Sequence, residues 1–122
     1  MKDNGWGYLE HMLQACADIE EFCQECTTVD DFVANKMMRS AVTMELLNLG
    51  ELVKKTAELG TIDGTDVLWK NIIRFRDRTS HWYHTTDFST VWSIVENRIP
   101  KIYDFLKQQQ QQVKSISEID IF

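Results

Sequence analysis

Apolar residues recur along most of this chain at spacings of three and four, the period of an α-helix with one buried face. Tyr8, Met12, Ala15, Ile19, Phe22 and Cys26 form the first such stripe, widened by Leu9, Leu13, Cys16 and Cys23. Thr28, with Asp31 three residues on, reads as an N-cap, so a new helix starts there, either as a short turn of its own or as the lead into a longer run. That longer run extends from about Asn35 to Leu59. Met38, Val42, Leu46, Leu49 and Val53 make one stripe on it, and Met37, Ala41, Met44 and Leu52 make a second. A helix apolar on two sides sits between neighbours or in an oligomer interface. Gly60 is placed as its C-terminal stop.

Residues 61–66 form the clearest loop. Leu68, Ile72, Phe75, Thr79 and Trp82 then resume helical spacing, and a polar break at 84–87 separates them from Phe88, Trp92, Val95, Ile99, Ile102 and Leu106. Pro100 falls inside this last pattern, which predicts a kink or a change of path there. No alternating strand pattern of useful length occurs. Long helices joined by short loops predict an all-α fold, an antiparallel up-and-down bundle of four to five helices. The helical domain is expected over residues 1–107, with the glutamine run and a mobile tail over 108–122.

Composition narrows the function classes. The 122 residues are 43% hydrophobic and 26% charged, the range of one soluble globular domain, and a single proline with five glycines favours long helices. The net charge of -6 argues against a general nucleic-acid coat protein, whose affinity comes from broad phosphate neutralisation. No run approaches the roughly 18 apolar residues of a membrane span, and the N-terminus has no signal-like apolar core, so no membrane partner and a cytoplasmic location are expected. Three cysteines are an odd count for a disulfide framework. The Cys23-x-x-Cys26 spacing lacks the second pair that a zinc site needs and the βαβ context of a redox site, so these thiols read as packing residues. No cofactor is expected.

Charge is not spread evenly. Residues 70–84 hold Lys70, Arg74, Arg76 and Arg78 against Asp77 alone, a local +3 that leaves -9 for the remainder. The same segment holds His81 and His84, whereas the third histidine, His11, stands alone in the first helix. Lys70, Arg74, Asp77, His81 and His84 share one helical stripe, with Asp77 one turn before His81. A carboxylate in that position holds an imidazole's tautomer and raises its basicity, and guanidinium groups nearby bind phosphate through a planar fork of donors. The segment is either a solvated basic face or a set of groups suited to cleaving RNA without a metal, with His81 moving the proton of a 2′-hydroxyl and Arg76 or a neighbour stabilising charge on the phosphorane. Arg76 and His81 lie about 140° apart on an ideal helix, so either the helix ends near His81 or two chains assemble the site. Glu45, Asn48 and Glu51 interrupt an apolar helix. They are either a solvated edge, or, for Glu51, the wall of the same cleft and a partner for an arginine.

The string from Arg76 to Tyr83 reads R-x4-H-x-Y and resembles the signature of the HepT-like toxins, a branch of the HEPN superfamily of helical ribonucleases. Trp69-Lys70-Asn71 upstream, Arg39-Ser40-Ala41-Val42 with Leu49-Gly50-Glu51, and Asp87-Phe88 through Ile99-Pro100 extend the likeness over roughly residues 30–106. The resemblance implies the toxin of a type II-like HEPN/nucleotidyltransferase toxin–antitoxin module, a metal-independent endoribonuclease acting on RNA as a homodimer. It implies Arg76 and His81 as the catalytic pair, with Asp77 at the polar position beside the arginine; Arg74, Arg78 and Glu51 are supporting candidates by their own charge and placement. It also implies Tyr83 as the side chain to which a cognate nucleotidyltransferase antitoxin transfers AMP. The chain departs from the family pattern at Asp77, where many members have Asn, and at Arg74, where many have Gly. A non-catalytic helical subunit that partners a nucleotidyltransferase or binds nucleotide is the alternative.

Overall fold

The computed structural model describes residues 5–79 and 86–120, with side chains through residue 115. Six α-helices occur among the described residues and no strand: α1 (Leu9–Phe22), α2 (Val29–Ala34), α3 (Lys36–Glu58), α4 (Val67–Thr79), α5 (Phe88–Asn97) and α6 (Ile99–Asp120). The chain is an all-α bundle.

Local chemistry sets the boundaries. Thr28 accepts a hydrogen bond from the Asp31 backbone N–H at 3.1 Å and starts α2; Asn35 accepts one from Met38 N–H at 3.0 Å and starts α3 one residue after α2 ends. The short turn anticipated after Thr28 is thus a helix in its own right. At the far end of α3, Gly60 adopts φ +82, a left-handed conformation that costs glycine little, and its N–H closes on the Ala57 carbonyl. Asp87 caps α5 by accepting from the backbone N–H of Ser89 at 3.0 Å.

The final helix differs from the single kinked rod that its periodicity suggests. Two helices meet at Arg98, and Pro100 lies in the first turn of α6, where a missing N–H has no helical partner to lose. The split and the separate α2 raise the number of helices above the expected four to five. The backbone of α6 runs on through the glutamines at 108–112 to Asp120, well past Leu106.

Packing places α3 at the centre, against α1, α2 and α4, while α6 closes the bundle against α1, α4 and α5. Met12 and Ile19 from α1, Val42, Leu46, Leu49 and Val53 from α3, Ile72 from α4, and Ile99, Ile102 and Leu106 from α6 are fully buried together. The aromatic contacts join elements distant in sequence. Phe32 packs on Trp92 at a ring separation of 5.4 Å, and Trp69 meets Phe105 edge-on at 5.4 Å. Arg39 ties three helices by donating to the Val33 carbonyl and lying 4.8 Å from the Phe88 ring centre. Of the two stripes on α3, the first is buried, while the second is split: Leu52 packs against the core, and Met37 and Met44 remain 83% and 63% exposed. No helix among the described residues is long and apolar enough to cross a membrane.

Candidate active site

The site grows from the meeting of α3 with α4, where α4 runs back along α3 after the 59–66 turn. Gly50 is the point of closest approach. A Cβ there would lie 2.7 Å from the Arg76 Cβ and 3.1 Å from the Ile72 carbonyl oxygen, so only a glycine lets the two backbones come this near. Gly50, Glu51 and Lys54 share one face of α3 within little more than a turn, and that face meets Arg76 and Asp77 of α4.

Charged side chains interlock there. Arg76 is half-buried; its Nη2 lies 2.6 Å from Glu51 Oε1, and its Nη1 donates to Asp77 Oδ1 at 3.2 Å. Lys54 Nζ donates to the same Asp77 oxygen at 3.1 Å, and Lys55 Nζ lies 3.8 Å from Glu51 Oε2. The hydrogen bond from Lys54, followed by that from Arg76, holds the Asp77 carboxyl below the usual carboxylate range, so it is ionised at neutral pH. Asp77 therefore enters the site as a charge already compensated by cations. The arginine that the sequence singles out is fixed between two helices.

Arg74 and Arg78 lie on the other side of α4, one turn apart and open to solvent. Together they border two open grooves. One, of about 730 Å³, is lined by Lys70, Ile73, Arg74, Asp77 and Arg78; the other, between α4 and α5, is lined by Asn71, Arg74, Phe75, Arg78, Thr90 and Ser93. The structure thus brings Glu51, Arg76 and Asp77 into direct contact and sets Arg74 and Arg78 beside them as a solvent-facing cationic ridge. His81, Tyr83 and His84 lie outside the described residues.

Lys54 is not among the residues that the sequence singles out. Its signal was available, because Lys54 follows Glu51 by one turn and so shares its face, but nothing in the sequence says which face of α3 meets α4. The thiols behave as packing residues. Burial pushes Cys16 up to about 12 and Cys23 up to about 11, and raises Cys26 as well, so thiolates are scarce at neutral pH. Cys26 rests against Met38, its Sγ 2.9 Å from the thioether sulfur. Among the described residues no three His, Cys, Asp or Glu side chains are grouped to share a metal ion.

The bundle thus holds one arginine against two carboxylates, with two exposed arginines on the same helix. The family description Ribonuclease HepT-like matches residues 12–109, and the chain belongs to that family, within the HEPN superfamily. A protein of Methanocaldococcus jannaschii named as a candidate RNase is 30% identical over 113 residues, covering 93% of this chain and 90% of its own. The probable ribonuclease HepT of Thermococcus cleftensis is 30% identical over 102 residues, covering 84% and 92%. A Caldanaerobacter subterraneus protein, also named as a candidate RNase, is 29% identical over 107 residues, covering 88% and 95%. No solved structure matches the chain significantly.

Proposed function

We propose that this chain is the toxin of a toxin–antitoxin module, a homodimeric endoribonuclease that needs no metal and is silenced by AMP transfer to Tyr83. The observation that carries the reading is the clamped Arg76, held by Glu51 and Asp77 at the basic end of α4 and inside the stretch that matches the family.

The chemistry follows from the residue types. His81 accepts the proton of a ribose 2′-hydroxyl as that oxygen attacks the adjacent phosphorus, and the bond from phosphorus to the 5′-oxygen breaks. The departing 5′-oxygen takes up a proton, leaving a 2′,3′-cyclic phosphate on one fragment and a 5′-hydroxyl on the other. Arg76 faces the non-bridging oxygens and stabilises the charge that builds on them. Arg74 and Arg78 hold flanking phosphates along the two grooves. The second apolar stripe of α3, with Met37 and Met44, gives two copies of the chain a surface on which to meet. Each AMP adds a negative phosphodiester and a bulky nucleoside two residues from His81, which cancels local positive charge and obstructs RNA.

Co-expression with the product of the adjoining gene tests the switch. The intact mass of the protein is expected to rise by whole AMP increments that map to Tyr83, and Tyr83→Phe is expected to abolish them while leaving a protein that arrests growth. An unchanged mass alongside an active nucleotidyltransferase partner contradicts the AMP switch.

A further inference from the structure

Arg76 faces two carboxylates at once, Glu51 at 2.6 Å and Asp77 at 3.2 Å. Those three groups alone sum to -1, a poor place to bring an RNA phosphate. Lys54 on Asp77 and Lys55 beside Glu51 turn the sum to +1. Neither lysine belongs to α4 or to its basic segment; both come from α3.

The Lys54–Asp77 pair is not chiefly a stabilising interaction. Its side chains are 37% and 47% exposed, and pairs that open to water contribute little to folding because solvent screens them. Its geometry has a different consequence. Lys54 Nζ and Arg76 Nη1 donate to the same Asp77 oxygen, so Asp77 keeps a second cation in hand when the arginine leaves.

We propose that Lys54 is a positioning residue for the nuclease reaction: it retains Asp77 so that the Arg76 guanidinium exchanges that carboxylate for the substrate phosphate. Glu51 stays beside Nη2 as its counter-ion while Nη1 turns from Asp77 to the RNA. With Lys54 removed, Asp77 has one cation fewer and holds Arg76 more tightly, so phosphate must compete for it. The inference rests on the reading of Arg76 as the catalytic arginine for RNA.

A double-mutant cycle on the full-length, unmodified protein tests it, using a short single-stranded RNA as the probe and reading kcat and KM separately. Lys54→Met is expected to lower kcat/KM by about tenfold, the usual effect of taking one charge-assisted hydrogen bond out of a site. Most of that decrease should fall in KM, with the melting temperature nearly unchanged, and Lys54→Arg should restore it. In the Asp77→Asn background the same Lys54→Met change is expected to alter kcat/KM by less than about twofold, since the charge it manages is gone. Lys54→Gln serves as a second variant. A full tenfold decrease in the Asp77→Asn background overturns the proposal, because Lys54 then binds RNA by itself. A Lys54→Met protein with the kcat and KM of wild type overturns it too. Inactive Arg76→Ala beside fully active Lys54→Met removes only the role of Lys54, whereas undiminished cleavage by Arg76→Ala removes both.

Discussion

Arg76→Ala is expected to lower RNA cleavage by about 10²- to 10³-fold, the usual effect of removing one preorganised donor from a developing oxyanion. His81→Ala is expected to cost about 10²- to 10⁴-fold, the range for a lost general acid–base. Because Arg76 also pairs with Glu51 between α3 and α4, the alanine variant should melt somewhat lower than wild type, and activity alone does not separate chemistry from folding. Arg76→Lys separates them. It keeps a cation against Glu51 but loses the planar fork, so it should melt near wild type while cleavage stays depressed by at least about tenfold. Single-turnover cleavage of a labelled RNA, run beside thermal melts of the same samples, checks all three variants. A lysine variant as active as wild type would mean that charge alone, and not the guanidinium fork, is what the site uses.

Gly50→Ala is expected to reverse the ordinary effect of such a change. In an open helix interior, alanine in place of glycine stabilises by roughly 0.5–1 kcal/mol. Here the new Cβ would sit 2.7 Å from the Arg76 Cβ and 3.1 Å from the Ile72 carbonyl oxygen, positions anchored to the α4 backbone that cannot swing aside. The helices must separate, and overpacking of this kind costs about 1–3 kcal/mol, more than the gain in helix propensity. A melting temperature lower by roughly 3–10 °C follows. Displacing α4 also moves Arg76 relative to Glu51, and misplacement of a catalytic group by a fraction of an ångström lowers rate steeply, so cleavage should drop by at least about tenfold. Gly7→Ala is the control, since nothing lies within 4 Å of its Cβ. A Gly50→Ala protein that melts higher than wild type and cleaves normally would show that the α3–α4 approach is not what positions the arginine.

Most of the architecture was legible because each helix writes its buried face in its period. The stripe Val42, Leu46, Leu49 and Val53 is the buried face of α3, and Thr28 and Gly60 mark boundaries through chemistry confined to a few neighbouring residues. The break at Arg98 was harder. Apolar periodicity carries on from Val95 through Ile99 and Ile102 without a slip, and only Pro100 hinted that two helices share one register. Met37 and Met44 show the converse limit, since a stripe announces burial without saying against what, and none of the described residues covers them.

The site was legible in part for the same reason. Arg76 and Asp77 stood out through the charge concentrated on one segment, and Glu51 through the polarity it brings to an apolar helix. Their meeting depends on the rotation of α3 against α4, which Gly50 fixes at a distance of twenty-six residues in sequence from Arg76. Lys54 shares the Glu51 face of α3 in the sequence, but its contact with Asp77 exists only once the two helix faces are opposed. Asp77, which by its sign looks unfavourable for RNA, accepts a hydrogen bond from a lysine of another helix. The -6 net charge likewise gives no measure of a site whose cations are gathered on α3 and α4.

In the proposed reaction Arg76 and His81 cut RNA by attack of the 2′-hydroxyl. Analysis of the fragment ends after incubation of the unmodified protein with a single-stranded RNA in excess chelator tests it most directly. Cleavage is expected to be undiminished by the chelator, with 2′,3′-cyclic phosphate and 5′-hydroxyl ends that vanish in His81→Ala. Fragments with 5′-phosphate ends, formed only when a divalent metal is supplied and persisting in His81→Ala, would contradict it.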